Sequence, residues 1–149
     1  MTRAGQIIGV AVLALSAVAC DEKLSDFAGP TPALEPTLSS IQRNIFDAAD
    51  SAGRVACTSC HNAQGAPTAA NLNLSPATAY AALVNAPSTG KSGAIRVIPS
   101  DPDGSYLVQK LEGAPGIAGE RMPGTGGPFL TTGQIAIIRR WIELGAAND

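Results

Sequence analysis

Histidine is almost absent from this chain, with His61 the only one among 149 residues. A single imidazole excludes any multi-histidine metal centre and any site built on two paired histidines within one chain. Charge is scarce as well. Asp, Glu, Lys and Arg supply 15% of the residues, where soluble domains average about 25%. The formal net charge is −2, and no basic cluster appears, which excludes a nucleic-acid binder that must neutralise phosphates. Aromatics account for only 4%, so large rings cannot fill much of the interior. Cysteine occurs three times. An odd number leaves at least one thiol unpaired or put to chemical use.

What the chain does have is glycine and proline, 16 and 11 respectively. Together with the length, they predict one small, loop-rich domain with short regular elements. Apolar residues are concentrated at the start. Arg3 is the only charge before Asp21, and residues 7–19 form a 13-residue apolar and small-residue run ending in Ala17-Val18-Ala19. A positive start, a short apolar stretch and small residues before a break describe a secretory signal peptide over residues 1–19. The alternative is an uncleaved anchor over residues 4–20. Small residues followed directly by Cys20 resemble the bacterial lipoprotein processing site, although Ala17 stands where that family commonly has leucine. The resemblance implies lipidation of Cys20, a membrane anchor and exposure on the periplasmic side. Asp21 after the cysteine favours the inner membrane. Ordinary cleavage leaving a free thiol is the competing possibility.

Residues 20–37, with Pro30, Pro32 and Pro36, read as a lipidated terminus and an extended tether. The folded domain is expected over residues 38–149. Ile41, Ile45, Phe46 and Ala49 recur at helical spacing and predict a first helix capped by Ser39 or Ser40 and ended by Gly53. Ser75-Pro76 and Asp101-Pro102 each present a cap followed by a first-turn proline. They predict helices carrying Ala79, Tyr80, Leu83 and Val84, then Tyr106, Leu107, Lys110 and Leu111, the latter stopped by Gly113. Between them Ile95, Val97 and Ile98 anchor a loop. Residues 113–128 hold six glycines and three prolines and form no regular structure. Thr131 or Thr132 caps a last helix with Ile135, Ile138, Trp141 and Ile142 on its buried face and Gly145 at its end. No alternating strand pattern appears. The fold class is all-α, with about four to five short helices among long Gly/Pro-rich loops.

The chemistry lies in Cys57-Thr58-Ser59-Cys60-His61. Two thiols three positions apart lie on one helical turn, and the next residue is the chain's only imidazole. C-x-x-C-H is the spacing of c-type haem attachment, in which the thiols add to the two vinyl groups and the histidine ligates the iron. Other uses of these residues are a Cys57–Cys60 disulfide, a redox-active dithiol and a zinc site. Zinc needs four ligands and this segment offers three. A thioredoxin-like dithiol needs a βαβ setting that the pattern lacks.

With this motif the domain resembles a class I monohaem cytochrome c. In that family a first helix, C-x-x-C-H, intermediate helices, a loop methionine and a last helix follow in order. Here the corresponding features are the Ile41 helix, Cys57–His61, the Ser75 and Asp101 helices, Met122, and the helix containing Trp141. The resemblance extends over about residues 38–147, and the stretches around Arg96-Val97-Ile98-Pro99, Met122-Pro123 and Trp141-Ile142-Glu143 are similar to cytochrome-c-like domains of exported bacterial lipoproteins. It implies one haem c held through Cys57 and Cys60, with His61 and Met122 as axial metal ligands. Met122 is the only methionine after the leader and lies 61 residues beyond His61. A thioether favours ferrous iron, so His/Met ligation raises the reduction potential. Met122 as a gap-filler beside an open sixth position is the alternative.

Arg96 has a guanidinium suited to a haem propionate, or else is a solvated loop charge. Pro67 is a candidate for the carbonyl that orients His61. Tyr80, Tyr106, Leu83 and Leu107 line a haem pocket or the core. The implied function is one-electron transfer by a membrane-tethered periplasmic carrier, with redox proteins as partners and no enzymatic role. A subunit of a larger redox complex, a haem enzyme and a gas sensor with a labile sixth ligand are the rivals.

Overall fold

The computed structural model of the chain describes residues 34–62 and 69–149. The leader, Cys20, most of the tether and Pro67 lie outside the described residues. Within them the architecture is helical with no strand.

Helix α1 spans Leu38–Ile41 and passes directly into a π-helical turn, Gln42–Phe46. Its cap is Thr37 rather than Ser39 or Ser40, because the Thr37 hydroxyl accepts from the Ser40 amide at 3.2 Å. The Ser40 hydroxyl is taken by the Glu35 amide at 3.0 Å, and Leu34 packs against the core. Residues 34–37, expected to belong to the tether, are therefore folded onto the domain. The helical turn stops at Phe46, short of Ala49. Beyond it the Asp50 side chain accepts from the amides of Ala52 and Arg54, both at 3.0 Å. That local turn competes with continued helix, and Gly53, at φ +93°, belongs to it.

Two of the proline-marked helices begin later than the sequence suggests. Helix α2 is Ala79–Leu83. The Ser75 carbonyl accepts from the amides of Thr78 and Ala79, both at 2.9 Å, so Ser75-Pro76 opens a turn that leads into it. Helix α3 is Tyr106–Glu112. Asp101 caps a separate turn, its Oδ1 accepting from the Gly104 amide at 2.8 Å and its carbonyl from the Ser105 hydroxyl at 2.7 Å. Gly113 ends α3 in the left-handed region, φ +72°, with the Arg121 side chain packed where a β-carbon would lie. Between α2 and α3 the chain makes isolated bridges, Val84 with Val97 and Pro87 with Ile95. Val97 is fully buried, as expected of a loop anchor.

Helix α4, Thr132–Glu143, matches its expectation closely. The Thr131 hydroxyl accepts from the Gln134 amide at 3.2 Å and the Gln134 side chain accepts from the Thr131 amide at 3.0 Å, a reciprocal capping box. Ile135, Ile138, Trp141 and Ile142 are buried on one face. They meet Leu38, Ile41, Ile45 and Phe46 of the first helical segment in a single core. The two ends of the domain are also joined by Asp149, whose carboxylate accepts from the Leu38 amide at 2.7 Å and the Ser39 hydroxyl at 3.0 Å.

Candidate functional site

A cavity of about 450 Å³ opens between the first helical segment, α2, α3 and the loop after α3. Ligand-binding cavities commonly measure about 300–1,000 Å³. Its wall is overwhelmingly apolar, with Ile45, Phe46, Leu72, Leu74, Leu83, Leu107, Leu111 and Leu130 contributing. Cys57, Cys60, His61 and Met122 line this same cavity, and so does Arg96.

The two cysteines sit on and just after a 3₁₀ turn, Cys57–Ser59. The Cys57 carbonyl accepts from the amides of Cys60 at 3.2 Å and His61 at 2.9 Å, so the turn draws the three side chains to one place. It is docked on the first segment through the Thr58 hydroxyl, which donates to the Phe46 carbonyl at 3.3 Å. Neither Cys57 nor Cys60 is in a disulfide. Burial pushes the Cys57 thiol above its usual range, although the nearby Arg54 guanidinium opposes the shift.

His61 Nδ1 lies 3.1 Å from the Ala69 carbonyl. A carbonyl can only accept, so Nδ1 carries the proton and Nε2 keeps its lone pair for a metal. Burial also lowers the imidazole's affinity for a second proton, with Arg96 adding a small repulsion. Hydrogen bonds to the backbone of Ala69 and Leu72 oppose this shift without outweighing it, and the balance favours the neutral ring. Among the described residues the Ala69 carbonyl is the one that faces His61 Nδ1, and the candidate Pro67 lies outside them.

Met122 is half-buried and is delivered by the loop after α3. Its amide donates to the Lys110 carbonyl at 2.9 Å. The Arg121 Nε donates to the Leu111 carbonyl at 2.6 Å, and the Ala118 amide donates to the Tyr106 hydroxyl at 2.8 Å. The Lys110 ammonium donates to the carbonyls of Ala118 and Glu120. A β-carbon on Gly124 would meet Met122 at ordinary van der Waals distances, 3.6 Å from Cε and 3.9 Å from Sδ.

Arg96 is neither a solvated charge nor a free fork. Its Nη1 donates to the Ala82 carbonyl at 2.9 Å and its Nη2 to the carbonyls of Ala70 and Asn71 at 3.1 and 3.2 Å. The cation that sequence analysis missed is Arg54. It is 1% exposed, pairs with Asp50 at 3.1 Å and lines the cavity, and its Nη2 has no hydrogen-bond partner among the described residues. Nothing in the local sequence marks it, because its burial depends on the Ile45 carbonyl, which accepts from its Nη1 at 3.3 Å. Leu83, Tyr106 and Leu107 line the cavity, whereas Tyr80 packs only against the core. Trp141 belongs to the core, its indole N–H donating to the Ala147 carbonyl at 2.9 Å.

Two thiols, an imidazole and a thioether line one apolar cavity, while among the described residues no three His, Cys, Asp or Glu side chains lie close enough together to hold a metal ion by themselves. No family model, no curated protein and no solved structure matches this chain.

Proposed function

We propose that this chain is an exported, lipid-anchored monohaem c-type cytochrome that transfers single electrons. One observation carries the proposal: Cys57, Cys60, His61 and Met122, separated by up to 65 positions in sequence, line one apolar cavity. Cys57 and Cys60 would hold a haem through two thioethers, and His61 and Met122 would be its axial ligands. A haem c bound there supplies a one-electron iron couple.

The chain's own residues account for the remainder. The Ala69 carbonyl fixes the His61 tautomer and raises the basicity of the ring. The apolar wall disfavours the more highly charged oxidised state, and a neutral thioether from Met122 works in the same direction. The buried Arg54 also lines the cavity, with its charge offset in part by the partly exposed Asp50 carboxylate. The order of elements, from α1 through the Cys57 turn and the Met122 loop to α4, supports a cytochrome c-like arrangement in which the first and last helices share one core. Cys20, if lipidated, would tether this domain on the periplasmic side of a membrane near its redox partners.

The test is expression with a c-type maturation system, followed by intact-mass analysis and oxidised and reduced spectra. The expected result is a chain bearing one haem, with low-spin bands and a long-wavelength methionine–iron charge-transfer band when oxidised. Met122→Ala should abolish that band and lower the potential markedly. A chain exported without haem, or a high-spin spectrum unchanged by Met122→Ala, overturns the proposal.

A further inference from the structure

Arg96 is committed on both of its Nη nitrogens, and the backbone around it is equally constrained. Its amide donates to the Ala86 carbonyl at 2.8 Å and its carbonyl accepts from the Leu107 amide at 2.9 Å, which ties it to the segment after α2 and to α3. From that fixed base the guanidinium reaches the carbonyls of Ala70 and Asn71. The Thr89 hydroxyl donates to the Ala70 carbonyl as well.

The segment so clamped is a short turn, Ala69–Asn71, with an unusual backbone. Ala70 and Asn71 have φ of +52° and +51°. Two successive non-glycine residues in the left-handed region cost free energy and persist only where surrounding contacts enforce them. The Ala69 carbonyl of this turn is the acceptor for His61 Nδ1.

We propose that Arg96 is a positioning residue for His61, clamping the Ala70 and Asn71 carbonyls so that the Ala69 carbonyl holds the imidazole in one tautomer and one ring plane. The path runs from guanidinium to turn to carbonyl to ring, with Thr89 as a second clamp on the same carbonyl. A guanidinium suits this task because its planar donors span neighbouring carbonyls at once, whereas an ammonium is a single point donor. The inference rests on the haem reading, since it assigns the orientation of a histidine whose role is ligation.

The experiment measures hydrogen exchange of the His61 Nδ1 proton by NMR in the reduced holoprotein, relative to that of the Trp141 indole proton. The latter is bound to the Ala147 carbonyl in the core, outside the cavity wall. Arg96→Met should raise the ratio by roughly five- to tenfold, the factor that corresponds to weakening one ordinary hydrogen bond. Thr89→Val, which keeps Arg96, should raise it by a smaller factor, and Arg96→Lys should recover part of the protection. If Arg96→Met does not fold, Arg96→Lys decides the matter: the ratio should rise above wild type, and an unchanged ratio overturns the assignment. An unchanged ratio, or exchange of both protons accelerating in parallel, overturns the assignment. A mature chain whose mass includes no haem overturns the haem reading and this inference together. A normal haem mass with an unchanged ratio overturns this inference alone.

Discussion

The amide of Met122 donates to the carbonyl of Lys110 at 2.9 Å, and the ammonium of that lysine reaches back to the carbonyls of Ala118 and Glu120. One residue of α3 thus holds the methionine loop at two points, one through its backbone and one through its side chain. Removing the ammonium leaves the first bond and abolishes the second. Lys110→Met should therefore keep the haem attached and the helices intact while weakening methionine ligation. Hydrogen bonds from charged donors contribute about 1.5–3 kcal/mol, less where exposed as here, so cyanide should displace Met122 about tenfold faster. Stopped-flow ligand binding reads this directly. Wild-type kinetics in the variant would show that the loop is held by other contacts.

Arg54 and Asp50 are an unequal pair, with side-chain exposures of 1% and 29%. Replacing the arginine by an apolar side chain of similar length leaves a partly solvated carboxylate behind. Replacing Asp50 leaves a buried guanidinium without its counter-charge, which is the costly case. Asp50→Asn should lower unfolding free energy by about 1–3 kcal/mol, a figure discounted from that of fully buried pairs because Asp50 is partly solvated. Arg54→Met should be nearly neutral for stability. The same substitution should lower the reduction potential by about 40 mV, the one-electron equivalent of about 1 kcal/mol. Urea denaturation and redox titration of both variants check the contrast.

The acid response follows from two carboxylates and one imidazole. Burial raises the Asp50 carboxyl, but the Arg54 amide and guanidinium outweigh it and leave the group below its usual value. Asp149 has the same balance, with its bonds to Ser39 and Leu38 prevailing over desolvation. Each group therefore binds its proton more weakly when folded. Its stabilisation is fully present above the unfolded value of about 3.9 and is lost as pH falls through the lower folded value. His61, which binds its proton more weakly when folded, should already lower stability as pH falls through the unfolded imidazole value of about 6.5, whereas the two carboxylates hold their contribution down to about pH 4 and lose it below. Asp149→Asn should flatten part of that decline, with less than about 1 kcal/mol at stake for a surface group. Urea midpoints collected across pH measure it.

The capping box of α4 gives a purely structural prediction. Thr131→Ala removes the acceptor for the Gln134 amide and should cost about 1 kcal/mol. The denaturation midpoint should fall while the visible spectrum of the holoprotein stays unchanged, because Thr131 does not line the cavity.

Helix α4 was legible in advance because its caps and its buried stripe are local in sequence. Thr131, Gln134, Ile135, Ile138 and Ile142 all lie within one amphipathic period pattern. The starts of α2 and α3 were misplaced for the opposite reason. Ser75-Pro76 and Asp101-Pro102 can open a turn or a helix, and the choice depends on where Ser105 and Val84 find distant partners. Ser105 accepts from the Ile98 amide at 2.8 Å, and Val84 leaves its helix to pair with Val97.

The sequence by itself determined the candidate donor groups: one imidazole directly after two thiols spaced for a single turn, Met122 as the one methionine besides Met1, and helices around them. Those properties follow from covalent spacing and composition, which no fold can alter. Only the tertiary structure decided which groups surround them. It placed Met122 on the same cavity as the Cys57 turn, made the Ala69 carbonyl the partner of His61, and buried Arg54 among carbonyls of the first helical segment. It also turned Arg96 from a free cation into a backbone clamp. Each of these contacts joins residues through backbone carbonyls, which every amino acid carries alike, so side-chain identity gave no local signal for them.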